Sequence, residues 1–493
     1  MLELKCIKED FFGNGIVIYK DEERKIPGLM EGEIGLFEPV KNGKYTNLHL
    51  LDIKKVSPDR CEPKCPVYKE CGGCQFLHTT YEHELKIKTE YMKDLFKTSR
   101  SVKIADVIPM DNPYSYRDKC QMTYKLSKSK KVVCGFYEEK SHKIVPITNC
   151  MIQSDKATAI IDGINKALTK NKIEPYDEKT GRGVVRHVVI RIGEYTNEIM
   201  VSLVTNGEMF PGRKNVINDI LKQNLGITTI VQNYNDRDTS IVMGDRERVL
   251  YGPGFIYEYV NGLKFKISPK SFFQVNTKGM EKLYSLALSS ANISKNDIVI
   301  DAYSGVGTIS IFASKSAKHV YGVELNKDAV KDAEINKKIN NINNVTFIND
   351  DATNYITKLA KNREHIDVVI MDPPRDGYTK AFINAIKYLE AKKVIYVSCN
   401  PETLKRDLYQ FFENDYILES ITGVDMFPRT ISLECVCVLK SLSEVKNNNT
   451  KKYNENKIKY IPKADIEMMR EDRYEALEIK NKRSIKLSKH LKF

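Results

Sequence analysis

The stretch "VIDAYSGVGTISIF", residues 299–312, decides how the second half of the chain is built. An apolar run ends at Asp301, a glycine turn follows, and apolar residues resume in a helical manner. Gly305 and Gly307 allow a tight turn and a close backbone approach to a ligand, with no Cβ in the way. Twenty-three residues after Asp301, the run YGVEL carries Glu324 near its end. A carboxylate there can accept both hydroxyl hydrogens of a ribose. The glycines lack the full G-x-G-x-x-G spacing, and no phosphate-binding lysine follows. A ligand with a ribose but no pyrophosphate fits better, and S-adenosylmethionine is the leading candidate. An ordinary strand–helix turn would show the same glycines. Two later acids argue for a site: Asp351 after the third strand-like run, and Asp372 at the head of DPPRDG.

Outward from that loop, NDIVIDAY, HVYGVEL, NVTFIND, HIDVVIMD and KKVIYVS are short apolar runs separated by helical stretches. The alternation predicts a parallel sheet covered on both faces. Acids at the carboxyl ends of such strands converge on the crevice where these sheets bind ligands. The run VIYVS delivers Cys399 to that same edge, and Pro401 opens the next helix. A thiol just before a helix N-terminus feels the positive end of the dipole, which favours thiolate. The competing reading is a small buried hydrophobe, the commoner fate of a free cysteine.

At 493 residues the chain is too long for one core, so two or three domains are expected. A formal charge of +13 suggests a polyanionic partner, most simply nucleic acid. Residues 441–493 hold 14 Lys/Arg against 8 Asp/Glu, so part of that charge sits in the tail. MLELKCIKED is no signal peptide, and no apolar run approaches the roughly 20 residues of a membrane span. The expectation is a soluble, cytoplasmic protein with no membrane association and no evident obligate protein partner.

Four regions follow from texture. Residues 1–57 alternate β-type runs with glycine and charged turns, as in a small barrel. Residues 58–262 open on a cysteine-rich knot, continue through a helix at about 82–97, and then mix strand-like runs with one helix around 213–224. Residues 263–443 hold the strand–helix alternation, and 444–493 form a basic, largely disordered tail. The tail reads either as a solvated charged face or as a nonspecific phosphate-binding arm.

Eleven cysteines without an export signal argue for thiols or metal ligands. Cys65, Cys71 and Cys74 form C-x5-C-x2-C with a Gly-Gly pair, and the distant Cys150 could complete four thiolates. Four cysteines can hold zinc or [4Fe–4S], and spacing alone does not choose. Cys61 has no place in the pattern; Cys120, Cys134, Cys435 and Cys437 lie in strand-like runs and are expected in the core.

Residues 263–440 resemble the catalytic domain of the RNA (uracil-5-)-methyltransferases. The matching stretches are SFFQVN (271–276), DAYSGVGTISI (301–311), VELN (323–326), DPPRDG (372–377), YVSCNPETLKRDL (396–408) and DMFPRTISLECVCVL (425–439). The resemblance implies a Rossmann-like α/β domain of the class I S-adenosylmethionine-dependent methyltransferases. It makes Cys399 the nucleophile at uracil carbon 6 and Glu434 the base. Cofactor contacts fall on Gln274, Tyr303, Glu324 and Asp372, with Thr308 and Asp351 beside them. Where relatives often have a histidine two residues before the base, this chain has Ser432.

The subgroup that methylates ribosomal RNA shares C-x5-C-G-G-C with a distant fourth cysteine, which implies a structural [4Fe–4S] cluster on Cys65, Cys71, Cys74 and Cys150. Residues 1–57 are similar to a TRAM domain, an OB-like RNA-binding barrel. Between barrel and catalytic domain lies a mixed α+β central domain, whose SYRDKCQMTYK (115–125) the family shares, and the resemblance implies that Arg117 and Lys119 touch RNA phosphates. It also implies that the helix near 82–97 packs on the catalytic domain. The implied substrate is 23S rRNA. A tRNA uracil-5 methyltransferase and a non-catalytic zinc/RNA-binding protein are the alternatives. An RNA cytosine-5 methyltransferase would require a Pro-Cys pair, which is absent, and an adenine N-methyltransferase an aromatic where Arg375 stands.

Overall fold

Alternating apolar residues in the first fifty positions produce five antiparallel strands: Leu2–Glu9, Asn14–Tyr19, Glu22–Pro27, Ile34–Asn42 and Tyr45–Lys55. This is a computed structural model, and it describes residues 1–42, 45–97, 102–138, 141, 143–239 and 241–448. In space the five strands run third, second, first, fourth, fifth, and the two outer ones approach each other, so the sheet curls towards closure. Its small core is Cys6, Val17, Ile26, Leu29 and Phe37. Phe11 leaves this unit to stack on Tyr91 with ring centroids 4.0 Å apart, inside the core of the strand–helix half.

The helix Tyr81–Leu95 is capped by Thr80, whose hydroxyl accepts from the His83 amide. Its inner face buries Glu84, Ile87, Lys88 and Met92, so two of its four inward residues are charged. Lys88 Nζ donates to Glu84 Oε1 and to Asp425 Oδ1, each at 2.7 Å.

A seven-stranded sheet forms the middle of the chain. Its spatial order is Arg246–Tyr251, Thr229–Tyr234, Ile199–Thr205, Val185–Ile192, Lys119–Leu126, Val132–Tyr137 and Ile144–Pro146. The sequence anticipates the helix Arg213–Leu221 but not Asp155–Lys170, which packs Ile160, Ile164 and Leu168 against Val188 and Val201. Gly163 lies in its middle. In the structure a Cβ there would lie 2.6 Å from Leu225 Cδ1, so the glycine permits a close approach.

The eight-stranded sheet carries the alternating half. Its order is Val345–Asn349, His319–Glu324, Ile298–Ala302, Val368–Met371, Lys393–Ser398, Glu434–Ser441, Tyr416–Val424 and Lys103–Ile104. The first five strands are parallel, and Glu434–Ser441 runs antiparallel to both of its neighbours. Both faces are buried: Ile300, Val369 and Val394 pack on one side, Val299, Ile370 and Ile395 on the other. Strand order reverses between Ile298–Ala302 and Val368–Met371, the topological position at which such sheets open a ligand crevice.

Elements outside the span 263–443 join this unit, the helix read at about 82–97 among them. Lys103–Ile104 adds the edge strand, the helix Tyr81–Leu95 is bonded to Asp425, and Ile256–Val260 pairs with Leu263–Ile267 over the same core. The last described helix is Leu442–Asn448; of the expected tail, residues 449–493 lie outside the described residues.

Candidate active site

The glycine turn after Ile298–Ala302 is shaped from both directions. Tyr303 adopts φ 68°, left-handed without being glycine, and Gly305 and Gly307 follow at 55° and 85°. A Cβ at Gly307 would meet Phe347 Cζ at 2.5 Å. Glu324 reaches back from the next strand: its Oε2 accepts from the Gly305 amide at 3.0 Å and its Oε1 from the Asn326 amide at 2.7 Å. One carboxylate thus joins the glycine turn to the neighbouring strand end, half-exposed towards the crevice. Thr308 is buried as the first residue of the short helix behind the turn. Asp351 caps the helix Ala352–Lys361 by accepting from the Asn354 amide, which commits Oδ1.

Beneath the turn Asp301 is fully buried, with Oδ2 accepting from Ser310 at 2.6 Å and Oδ1 lacking a partner among the described residues. Burial pushes its carboxyl up to about 7.

Asp372 follows Val368–Met371 on the other side of the strand reversal. Burial pushes it up to about 7 as well, opposed by the Tyr284 hydroxyl, which donates to Oδ2 at 3.3 Å. Tyr284 also hydrogen-bonds the buried side chain of Gln274. Gln274, Tyr284 and Asp372 therefore form one chain of polar contacts. Tyr284 escapes sequence reading because it looks like a core residue of the helix Thr277–Ala291. Arg191, on the central sheet, supports the same loop from behind by donating to the carbonyls of Phe273 and Gln274. Asp118, one residue from Lys119, accepts from the amide and hydroxyl of Thr277 and so caps that helix across the domain boundary. Lys119 is itself half-buried, and burial with two neighbouring arginines draws its ammonium down to about 8.

Cys399 stands just beyond Lys393–Ser398, with Asn400 capping the helix Pro401–Glu413. Ser398 pairs with Cys435 in the antiparallel ladder, so one further step of that register sets Cys399 beside Glu434. Glu434 is only 4% exposed, and burial pushes its carboxyl up to about 8, raised further by Asp372 and lowered by Arg375. The thiol departs from expectation. Burial, then Glu434 and Asp372, push Cys399 up to about 11, against the pull of Arg375. The helix terminus that should favour thiolate is outweighed by desolvation and by two carboxyls that only the fold brings near.

The Cys65, Cys71, Cys74 and Cys150 thiols are partly buried. After burial, Cys150, Cys71 and Cys65 are the next largest influences raising Cys74, so the four thiols are mutual neighbours. Even so, among the described residues no group of three His, Cys, Asp or Glu is poised to hold a metal ion. Cys61 is exposed, and Cys120, Cys134, Cys435 and Cys437 are buried as expected.

The tRNA (uracil-5-)-methyltransferase sequence profile matches residues 80–442. The chain belongs to that family. It is an S-adenosylmethionine-dependent RNA methyltransferase. The matched span takes in the helix Tyr81–Leu95 and the strand Lys103–Ile104, which fold onto the eight-stranded sheet. An RNA methyltransferase of Listeria innocua, described as uncharacterized, is 39% identical over 417 residues, covering 84% of this chain and 92% of that protein. One from Clostridium acetobutylicum is 41% identical over 400 residues, covering 80% and 87%. Among solved structures, the tRNA (uracil-54, C5)-methyltransferase of Pyrococcus abyssi, in complex with S-adenosyl-L-homocysteine, superposes with a TM-score of 0.68 at 26% identity. That likeness covers 88% of this methyltransferase and all of that chain. No helix among the described residues is long and apolar enough to cross a membrane.

Proposed function

We propose that this methyltransferase acts on carbon 5 of a uridine in 23S rRNA through a covalent adduct between Cys399 and carbon 6 of the ring. The observation that carries the reading is the side-by-side placement of Cys399 and Glu434 at the carboxyl edge of the sheet, next to Asp372 and the glycine turn. When bound, S-adenosylmethionine supplies the methyl group on a sulfonium. The Cys399 thiolate adds to carbon 6 and pushes electron density onto carbon 5, which takes the methyl group as S-adenosylhomocysteine leaves. Glu434 then removes the proton from carbon 5. The electrons released re-form the ring double bond and expel the Cys399 thiolate.

Each residue has a part. Glu324 holds the ribose hydroxyls, while Gln274, Tyr303, Thr308 and Asp351 line the nucleoside and methionine ends. Asp372, with Arg375 beside it, governs the charge around thiol and base. A thiol that rests protonated is protected from oxidation until a cation enters, since a positive sulfonium in the crevice lowers both Cys399 and Glu434. The target base must be flipped out of its stack, at a cost of a few kcal/mol. Arg117, Lys119 and the TRAM-like barrel of residues 1–57 offset that by gripping phosphates. The enzyme works in the cytoplasm, where its substrate RNA is made.

Cys65, Cys71, Cys74 and Cys150 would hold a [4Fe–4S] cluster of structural role. Burial first, and then neighbouring cysteines, push Cys71, Cys74 and Cys150 up, and thiols so placed suit a cation that stabilises thiolates. A brown protein prepared without air, bleached by Cys150→Ser, tests this; a colourless, zinc-loaded protein overturns it.

A tRNA substrate is the second reading, favoured by the family's description and by the Pyrococcus abyssi relative. Unmodified 23S rRNA and tRNA transcripts incubated with methyl-labelled cofactor separate the two. Label at carbon 5 of a uridine in 23S rRNA supports the first reading, label confined to tRNA the second, and label on another atom neither.

A further inference from the structure

The side chain of Gln75 bridges the cysteine loop and the catalytic segment. Gln75, directly after Cys74, donates from Nε2 to the Gly72 carbonyl at 2.7 Å and accepts at Oε1 from the Ile431 amide at 3.2 Å. Its own amide donates to the Arg429 carbonyl at 2.9 Å, and the Phe76 amide to the same oxygen at 3.2 Å. The barrel closes the third side, where a Cβ on Gly13 would lie 3.2 Å from the Gln75 carbonyl oxygen.

The segment so held is strained. Arg429 adopts φ 68°, a left-handed conformation that costs a non-glycine residue and persists only where surroundings enforce it. They do enforce it: its amide donates to Glu84 Oε1 at 2.8 Å, and its guanidinium to the Thr79 carbonyl at 3.0 Å. Three residues beyond Ile431 comes Glu434, which opens the strand beside Cys399.

We infer that Gln75 is a positioning residue: it couples the Gly72–Gly73 turn of the cysteine loop to the Arg429–Ile431 segment and thereby sets where the Glu434 carboxylate meets carbon 5. This rests on the covalent mechanism proposed above. If the base is displaced after methyl transfer, proton removal slows while addition of Cys399 does not. The methylated adduct between protein and RNA then accumulates, a signature that general loss of structure does not produce.

The test uses the full chain, methyl-labelled cofactor and unmodified 23S rRNA and tRNA transcripts, whichever accepts label. Gln75→Met removes both side-chain bonds at similar volume. It is expected to lower kcat about tenfold with KM for RNA little changed, since small misplacements of a catalytic group are costly. On a denaturing gel it should carry several times more labelled protein–RNA adduct than the wild type. Gln75→Glu keeps the acceptor for Ile431 but sets a carboxylate oxygen against the Gly72 carbonyl, so it breaks the coupling and should accumulate adduct as the Met variant does. Gln75→Asn is one methylene too short to span Gly72 and Ile431, and gives the same signature if the Met variant does not fold. Wild-type kcat in the Met or Asn variant, or a fall in kcat without excess adduct, overturns the inference. Trapping of the wild type on 5-fluorouridine RNA is read separately. No adduct at Cys399 there defeats the covalent mechanism and the inference with it, whereas an adduct there without accumulation in the variants defeats the inference alone.

Discussion

Replacing Lys88 by methionine tests whether the buried charges between the helix Tyr81–Leu95 and the Asp425 segment bind the two together. Lys88, Glu84 and Asp425 are each fully buried, and the ammonium lies 2.7 Å from an oxygen of both carboxylates. Without it Glu84 keeps the Arg429 amide at 2.8 Å, whereas Asp425 loses its one cationic partner, and its Oδ2 already has none among the described residues. Removing one member of a buried ion pair costs about 3–5 kcal/mol. That corresponds to a fall of roughly 10 °C in melting temperature for a unit of this size.

The sign of the pH dependence follows from Glu84. Its carboxyl is raised from 4.5 to about 7, by burial first and against the pull of Lys88, and losing that pull raises it further. A group raised on folding costs stability only where the unfolded chain would ionise it. The deficit of Lys88→Met is therefore small near pH 5 and grows towards pH 8. Thermal unfolding of wild type and variant at both pH values measures it. A shift under about 2 °C, or one equal at both ends, refutes the reasoning.

Cys399→Ala should abolish turnover while S-adenosylmethionine binding, measured by equilibrium dialysis, stays within about twofold of wild type; product formation by this variant removes the nucleophile. Because burial holds Cys399 at about 11 and Glu434 at about 8, and both act deprotonated, kcat/KM should climb as pH rises from 6.5 to 9; a flat profile would count against both roles. Gly307→Ala forces a side chain into φ 85° and against Phe347, a strain of about 1–3 kcal/mol, so cofactor affinity should drop about tenfold; undiminished binding would place the cofactor elsewhere.

What the sequence revealed was local. The strand, glycine turn and helix at 299–312, the acids at strand ends and the cysteine before Asn-Pro each sit within a few residues of their own cause. Tyr284, Arg191 and Gln75 were invisible because their partners are remote: Tyr284 meets Asp372 across 88 positions, and Gln75 meets Ile431 across 356. The protonation of Cys399 was misjudged for the same reason. The dipole of its own helix can be read from the chain, but the Glu434 and Asp372 carboxyls become neighbours only when strands pair. The helix Asp155–Lys170 was passed over although its apolar residues recur at helical spacing, and Lys103–Ile104 is too short to give a periodic signal.

The stitching of Tyr81–Leu95 and Lys103–Ile104 onto the far sheet has a consequence for how the enzyme is born. Lys88 leaves the ribosome 337 residues before Asp425, an interval of roughly 20–70 s at ordinary elongation rates. Through that interval the nascent helix pairs Lys88 only with Glu84 of its own turn, and the sheet it will join does not yet exist. The helix therefore docks late, and a gene cut near codon 262 is expected to yield two halves that complement each other when co-expressed instead of one small autonomous methyltransferase.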